Sequence, residues 1–234
     1  MIKVILWDID GTLLDFHAAQ HEAILSLFKK HNLGICTEEM ISVYSDINKK
    51  YWEALERGEM TKPEILVGRF IEFFSTYGID ASKAPAFNDD YQLALGDTIV
   101  FFPGTYETVK SLKGSVVQCL VTNGTKTAQE KKLKNSGLGE LFDYIFISED
   151  MGVEKPNKTF FDKVFDSIGH YASDEVIIIG DSLTSDIKGG NNAGILTCHF
   201  NPESLPVKSD VKIDYTIRSL YEVNEILASR SLIP

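Results

Sequence analysis

Ile2-Lys3-Val4-Ile5-Leu6-Trp7-Asp8-Ile9-Asp10-Gly11-Thr12 decides how the rest of the chain is read. An apolar run of strand length ends in two carboxylates spaced i and i+2. Side chains alternate faces along a strand, so Asp8 and Asp10 project the same way if the extended geometry persists. Gly11 then lets the backbone turn sharply. Two acids side by side at a strand end repel each other, which does nothing for stability. The pair makes sense if a cation neutralises it, or if one acid is a nucleophile and the other handles a proton.

The strand grammar returns only after residue 98. Residues 13–16 form a turn, and helical spacing covers 17–31 (Ala18, His21, Ala23, Ile24, Leu27, Phe28), 38–57, 61–77 and 85–95. Thr61-Lys62-Pro63-Glu64 reads as a capping box opening the third of these helices. Beyond Ile99-Val100-Phe101-Phe102-Pro103-Gly104, a short helix reaches Lys113. Strands are predicted at 115–121, 144–147, 175–179, 195–200 and 214–217. Helices are predicted at 125–136, 157–168, 183–193 and 219–230. Strands alternating with helices imply right-handed βαβ units. The fold class predicted is α/β: a doubly wound, mostly parallel sheet with an inserted all-helical cap. Residues 1–14 and 101–234 form the core and 15–100 the cap.

Composition bounds the partners. The 234 residues are 44% hydrophobic and 24% charged, enough for a sizeable core. A net charge of −11 argues against a nucleic-acid polymer, which needs clustered Lys and Arg, but allows one small phosphorylated ligand. Cys36, Cys119 and Cys198 are odd in number and far apart, so buried reduced thiols are expected. The first residues form a strand with acids rather than a signal peptide, and no apolar run nears the ~18–20 residues of a membrane span. A cytoplasmic protein, monomeric or weakly homo-oligomeric, is expected.

Four polar clusters follow four predicted strands. They are Asp8 with Asp10, Thr122-Asn123-Gly124, Lys155-Pro156, and Gly180-Asp181-Ser182 with Asp186. Ligands of open parallel sheets bind outside the carboxyl ends of the strands, so these clusters should converge on one cleft. Asp8, Asp10 and Asp181 offer the hard oxygens that suit Mg²⁺. A carboxylate can attack phosphorus to form an aspartyl-phosphate. Thr122 can hydrogen-bond a phosphoryl oxygen, and Lys155 can neutralise the transferring group. Asp10 can protonate the leaving oxygen and then take a proton from water.

In order and spacing these clusters resemble the four motifs of the haloacid-dehalogenase-like (HAD) phosphatases, and 15–100 resembles that family's helical cap. The resemblance implies Asp8 as nucleophile, Asp10 as acid/base, and Thr122 and Lys155 as phosphoryl binders. It implies Mg²⁺ held by Asp8, the carbonyl of Asp10 and Asp181, with Asp186 either behind these ligands or among them. The family's dehalogenases lack an acid two residues after the nucleophile, so Asp10 favours phosphate esters; sugar-phosphate mutases also keep it. Ile147–Asn157, Gly190–Gly194 and, in the cap, Asn48-Lys49, Trp52, Gly58, Thr61 and Arg69-Phe70 are similar to the house-cleaning nucleotidases. The function implied is a Mg²⁺-dependent phosphomonoesterase acting on pyrimidine nucleoside 5′-monophosphates. Its alternatives are a phosphatase of acylneuraminate 9-phosphate, phosphoglycolate or a sugar phosphate, or a mutase.

Other residues have plainer readings. No G-x-x-x-x-G-K-[ST] accompanies the strand ending at Asp181, so a P-loop is excluded. His17 and His21 share a helix surface without an H-E-x-x-H pattern, and His17 could contact substrate from beside the turn. Tyr51 and Trp52 belong to the cap core unless they stack on a base. Lys49, Lys62 and Arg69 read as solvated or structural, and Asp89-Asp90 as a solvated turn.

Overall fold

The computed structural model describes residues 1–207 and 210–231. Six strands form one sheet: β1 (Val4–Trp7), β2 (Val117–Thr122), β3 (Tyr144–Ile147), β4 (Val176–Gly180), β5 (Leu196–Phe200) and β6 (Tyr215–Ile217). All pair in parallel in the order β3-β2-β1-β4-β5-β6. Val4 lies opposite both Val117 and Val176, and Trp7 opposite Leu120 and Ile179, so β1, β2 and β4 end level with one another. The chain leaves β1 in one direction and β4 in the other, which makes the β1–β4 boundary the switch point of the sheet.

Alternation along the strands sorts the core into two layers. Ile5, Trp7, Leu120, Ile177 and Ile179 share a cluster with residues of α5 (Thr105–Leu112), α6 (Lys126–Ser136) and α10 (Glu222–Ser231). Val4, Leu6, Val121 and Ile178 face the other way, onto Phe160, Phe161 and Val164 of α8 (Lys158–Ile168). Both faces are covered, so the sheet is doubly wound as its near-continuous apolar strands require.

Between β1 and β2 come α1 (Phe16–Lys30), α2 (Glu38–Glu56), α3 (Lys62–Thr76) and α4 (Ala84–Asp97). Their caps are local. Asp15 accepts from the Ala18 N–H at 2.9 Å, and Glu64 accepts from the Thr61 N–H at 2.7 Å, the reach-back half of the predicted box. They pack around their own aromatic cluster, in which Tyr44–Phe70 and Phe70–Phe87 ring centroids lie 5.0 Å apart. Each such ring pair contributes about 0.5–1.5 kcal/mol beyond area burial. Two seams tie these helices to the sheet. Thr125 donates to Gln92 at 2.7 Å beside α4, and Lys62 donates to the Asn123 carbonyl at 3.0 Å and to Ser148 at 2.5 Å.

Three local expectations differ. Residues 183–193 are not one α-helix: Leu183–Ile187 is a π-turn that leads into α9 (Lys188–Ala193). Ser148–Met151 is a one-turn helix, α7, where only a loop was expected. Phe101 makes an isolated antiparallel bridge to Leu14, and the apolar run 99–102 joins none of the six strands. Cys119 and Cys198 are buried thiols as expected, whereas Cys36 is only half-buried.

Candidate active site

Asp8 continues the line of β1 past Trp7, and its backbone N–H still donates to the Ile179 carbonyl at 3.0 Å, so the acid is held between the ends of two strands. Lys155, in the loop after α7, reaches back under it. All three of its ammonium donors are used: Asp8 Oδ1 at 2.8 Å, the Val121 carbonyl at 2.8 Å and Asp186 Oδ1 at 2.6 Å. Asn123 fixes that loop. Its side-chain amide donates to the Lys155 carbonyl at 2.8 Å and accepts from the Lys155 N–H at 2.9 Å. Thr122 ends β2, is buried, and accepts from the Gly124 N–H at 3.1 Å.

The β4 end supplies the other acids. Thr12 binds Asp181 twice, donating to Oδ1 at 3.0 Å and accepting from its N–H at 3.0 Å. The π-turn swings Asp186 inward, where Oδ2 accepts from the Ser182 N–H at 3.1 Å; such turns recur at functional sites. Two glycines make room. A Cβ on Gly11, which sits at φ +88°, would meet Asp181 Oδ2 at 2.5 Å, and a Cβ on Gly180 would meet Asp186 Oδ2 at 2.2 Å. His199, opposite Gly180 in β5, lies 3.1 Å through Nε2 from the Asp181 carbonyl.

One carboxylate oxygen each from Asp8, Asp181 and Asp186 fall within 4.8 Å of one another. Three carboxylates against the single ammonium of Lys155 leave two negative charges uncompensated when all are ionised. Burial, opposed by Lys155 and assisted by Asp186 and Asp181, drives the Asp8 carboxyl well above its usual range. Burial and then Asp186 push Asp181 up to about 7. Burial alone would lower Lys155, but Asp186 and Asp8 outweigh it and raise it. Hard oxygens with a deficit of two positive charges fit a divalent cation such as Mg²⁺.

Asp10 goes elsewhere. Gln129 donates to its Oδ2 at 2.7 Å, and the buried Lys132 pairs with its Oδ1, both from α6. The two acids of the opening motif therefore do not share one counter-charge. Asp10's side chain is outside the three-acid cluster, leaving only its main-chain carbonyl for the ligand role named above. His17 is exposed on α1, edge-on to Phe16 at 6.1 Å, and Trp52 is half-buried on α2 with the Arg69 guanidinium 6.0 Å from its ring. Lys62 and Arg69 are both buried rather than solvated, while Lys49 is exposed. Asp90 is ion-paired with Lys30 at 2.6 Å and lies 2.7 Å from His31 rather than being simply solvated.

Two residues of the site had no signal in the sequence. Lys132 is one of four lysines between residues 126 and 134, and only the rotation of α6 selects it. Glu56, the last residue of α2, has the Thr184 hydroxyl, Asp186 and Lys155 near enough to act on its charge. Burial pushes its carboxyl up to about 7, against the pull of the Thr184 hydroxyl.

A parallel sheet with acids gathered at its switch point is the architecture of the HAD hydrolases, and sequence comparison agrees. Residues 5–200 match the haloacid dehalogenase-like hydrolase family, and the chain belongs to it. It is 38% identical over 225 residues to a protein named HAD-hydrolase YfnB from Bacillus subtilis, covering 96% of this chain and 95% of that one. It is 32% identical to the pyrimidine 5′-nucleotidase PynA of Streptococcus pneumoniae, covering 96% and 94%. The magnesium-bound crystal structure of YfnB superposes with a TM-score of 0.91 at 37% identity, covering 97% of this chain and 98% of that one.

Proposed function

We propose that this hydrolase is a Mg²⁺-dependent phosphomonoesterase that works through an aspartyl-phosphate on Asp8, with pyrimidine nucleoside 5′-monophosphates as substrates. The observation that carries the reading is Lys155 saturated between Asp8 and Asp186 at the carboxyl ends of the strands, in a cluster short of two positive charges. Mg²⁺, held by Asp8, the Asp10 carbonyl and Asp181 with Asp186 beside them, would neutralise the phosphoryl group and its attacker.

The chain's own residues supply the rest. Lys155 holds Asp8 Oδ1, which leaves Oδ2 to attack phosphorus. The O–P bond to the leaving group breaks as Asp10 gives that oxygen a proton, and an acyl phosphate remains on Asp8. Asp10 then takes a proton from water as the water's oxygen attacks phosphorus. Phosphate leaves and the Asp8 carboxylate is restored. Thr122 and Lys155 bind phosphoryl oxygens, and Asn123 keeps the Lys155 loop in place. Residues 15–100 act as a cap that shuts bulk water out of the first step and contacts the leaving group.

The substrate class is supported by the resemblance of the cap to that of nucleotidases and by the names of two relatives, the pyrimidine 5′-nucleotidases PynA and, at 28% identity, YjjG of Escherichia coli. The test is phosphate release with Mg²⁺ across nucleoside monophosphates, sugar phosphates and phosphoglycolate. Pyrimidine 5′-monophosphates should give the highest kcat/KM, and Asp8→Asn should lose at least about 10³-fold. Isomer formation without net phosphate release would replace this reading with a mutase.

A further inference from the structure

The helical segment places one acid over the reaction centre that neither the mechanism nor the fold uses. Tyr44, Asn48, Trp52 and Glu56 recur every four residues on α2 and so form one stripe. Its first member is buried among the aromatic rings, its second holds Arg69 at 2.6 Å, and its last reaches the π-turn that carries Asp186. Glu56 Oε2 is buried with no hydrogen-bond partner. Nothing about stability favours an acid there. It sits at the negative end of a helix and faces a cluster already rich in carboxylates. The neighbouring Arg57 does not serve it, since that guanidinium is spent on Glu59 at 2.8 Å. Among the described residues Glu56 also stands outside the three-acid group that could hold a metal ion. The Thr184 hydroxyl lies beside the carboxyl, yet Oε2 makes no hydrogen bond, and a buried acceptor without a donor beside the candidate active site is a group waiting for one.

We infer that Glu56 is a specificity-determining residue: Oε2 accepts a hydrogen bond from a hydroxyl borne by the leaving group, so that esters of polyols are preferred over esters that lack a second hydroxyl. In the nucleotide reading, on which this deepening rests, the donor is a ribose hydroxyl. A neutral hydroxyl satisfies the acceptor, and the neighbouring Thr184 hydroxyl gives the same surface a second group able to bond a diol.

The test compares kcat/KM of the full-length protein and its Glu56→Ala and Glu56→Gln variants with Mg²⁺ on three esters. These are a pyrimidine ribonucleoside 5′-monophosphate, its 2′,3′-dideoxy counterpart and p-nitrophenyl phosphate. Glu56→Ala should lose about 10–100-fold on the ribonucleotide and under about 3-fold on the other two, since only the first presents the hydroxyl. Glu56→Gln, which keeps an acceptor oxygen, should lose less. Both variants should melt within about 3 °C of the parent, because the carboxyl has the Thr184 hydroxyl beside it but its Oε2 bonds nothing. Equal losses on all three esters would overturn the proposal in favour of a role in the chemistry or in metal binding, and so would no loss on any. Should nucleotides not be substrates, the substrate reading falls separately. Glycerol 3-phosphate against propyl phosphate then provides the hydroxylated and bare pair, and an unchanged ratio between them in Glu56→Ala overturns the inference.

Discussion

Lys155 and Arg69 are both buried cations, each with about 1% of its surface exposed, and the protein treats them in opposite ways. Lys155, at the carboxyl ends of the strands, is ringed by two carboxylates and a carbonyl. Arg69, among the inserted helices, is bound by neutral groups: the Leu66 carbonyl at 3.3 Å, Asn48 at 2.6 Å and Asn88 at 3.2 Å. Aromatic faces surround its guanidinium, with Phe70 at 5.0 Å and Tyr91 at 5.2 Å. Charge at the strand ends is arranged in excess of what folding needs, and that excess is available for a cation and a phosphoryl group. The charge of Arg69 is quenched by amides and rings, which orders the helices around one centre. In the proposed mechanism the same kind of group is reactive machinery in one region and scaffolding in the other.

The strongest attack on this contrast is Lys155→Ala. Breaking a buried ion pair by removing one partner costs about 3–5 kcal/mol, because the acids remain buried and unpaired. Activity should fall by about 10²–10³-fold in kcat/KM through lost charge stabilisation, measured on protein shown to be folded. A variant with unchanged turnover would mean that Lys155 only balances charge for folding, as a scaffold cation would.

Arg69→Met sharpens the other half. It keeps a flexible stem against the rings but leaves the Asn48 side-chain oxygen without its donor, for a loss of about 1–3 kcal/mol. Chemical denaturation should show that loss equally at about pH 5.5 and pH 7.5, because none of Arg69's partners titrates. The kcat of the folded fraction should change by less than about 3-fold. A catalytic loss on the scale of Lys155→Ala would break the comparison and place Arg69 in contact with substrate.

How far the sequence could be read follows the same division. Asp8, Thr122 and Asp181 were legible because each sits at or just past a strand end, and Lys155 because its loop follows β3 and the turn of α7. A strand's period of two and the parallel-sheet rule then carry residues far apart in sequence to one rim. The π-turn that swings Asp186 inward was not, since no residue in Leu183–Ile187 marks it apart from an α-helix. Lys132, Lys62, Arg69 and Glu56 were also hidden. Each is one charged residue among several on its helix, and its meaning depends on how that helix is rotated and on what another segment brings to meet it. Asp10 shows the limit at short range: two acids on one strand face were expected either to share a cation or to divide into a nucleophile and a proton carrier, and nothing in the sequence showed that α6 gives Asp10 its own lysine.

The smallest expected effect is a thermal one, and it separates the two regions without any turnover. Asp181 is raised to about 7 in the folded protein, while an unfolded chain gives up that proton near pH 4. The folded state therefore holds more protons than the unfolded state between those values, and without metal the stability from this group falls as pH rises through that window. Mg²⁺ binds the deprotonated carboxylates, so its stabilisation grows as the same protons leave. Adding Mg²⁺ should raise Tm by several degrees at about pH 7.5 and by much less at about pH 5.5. Asp181→Asn should abolish that gain, whereas Arg69→Met, starting from a lower Tm, should keep it. A Mg²⁺ shift that is absent, or equal at both pH values, would mean that the acids at the strand ends are not where the cation binds.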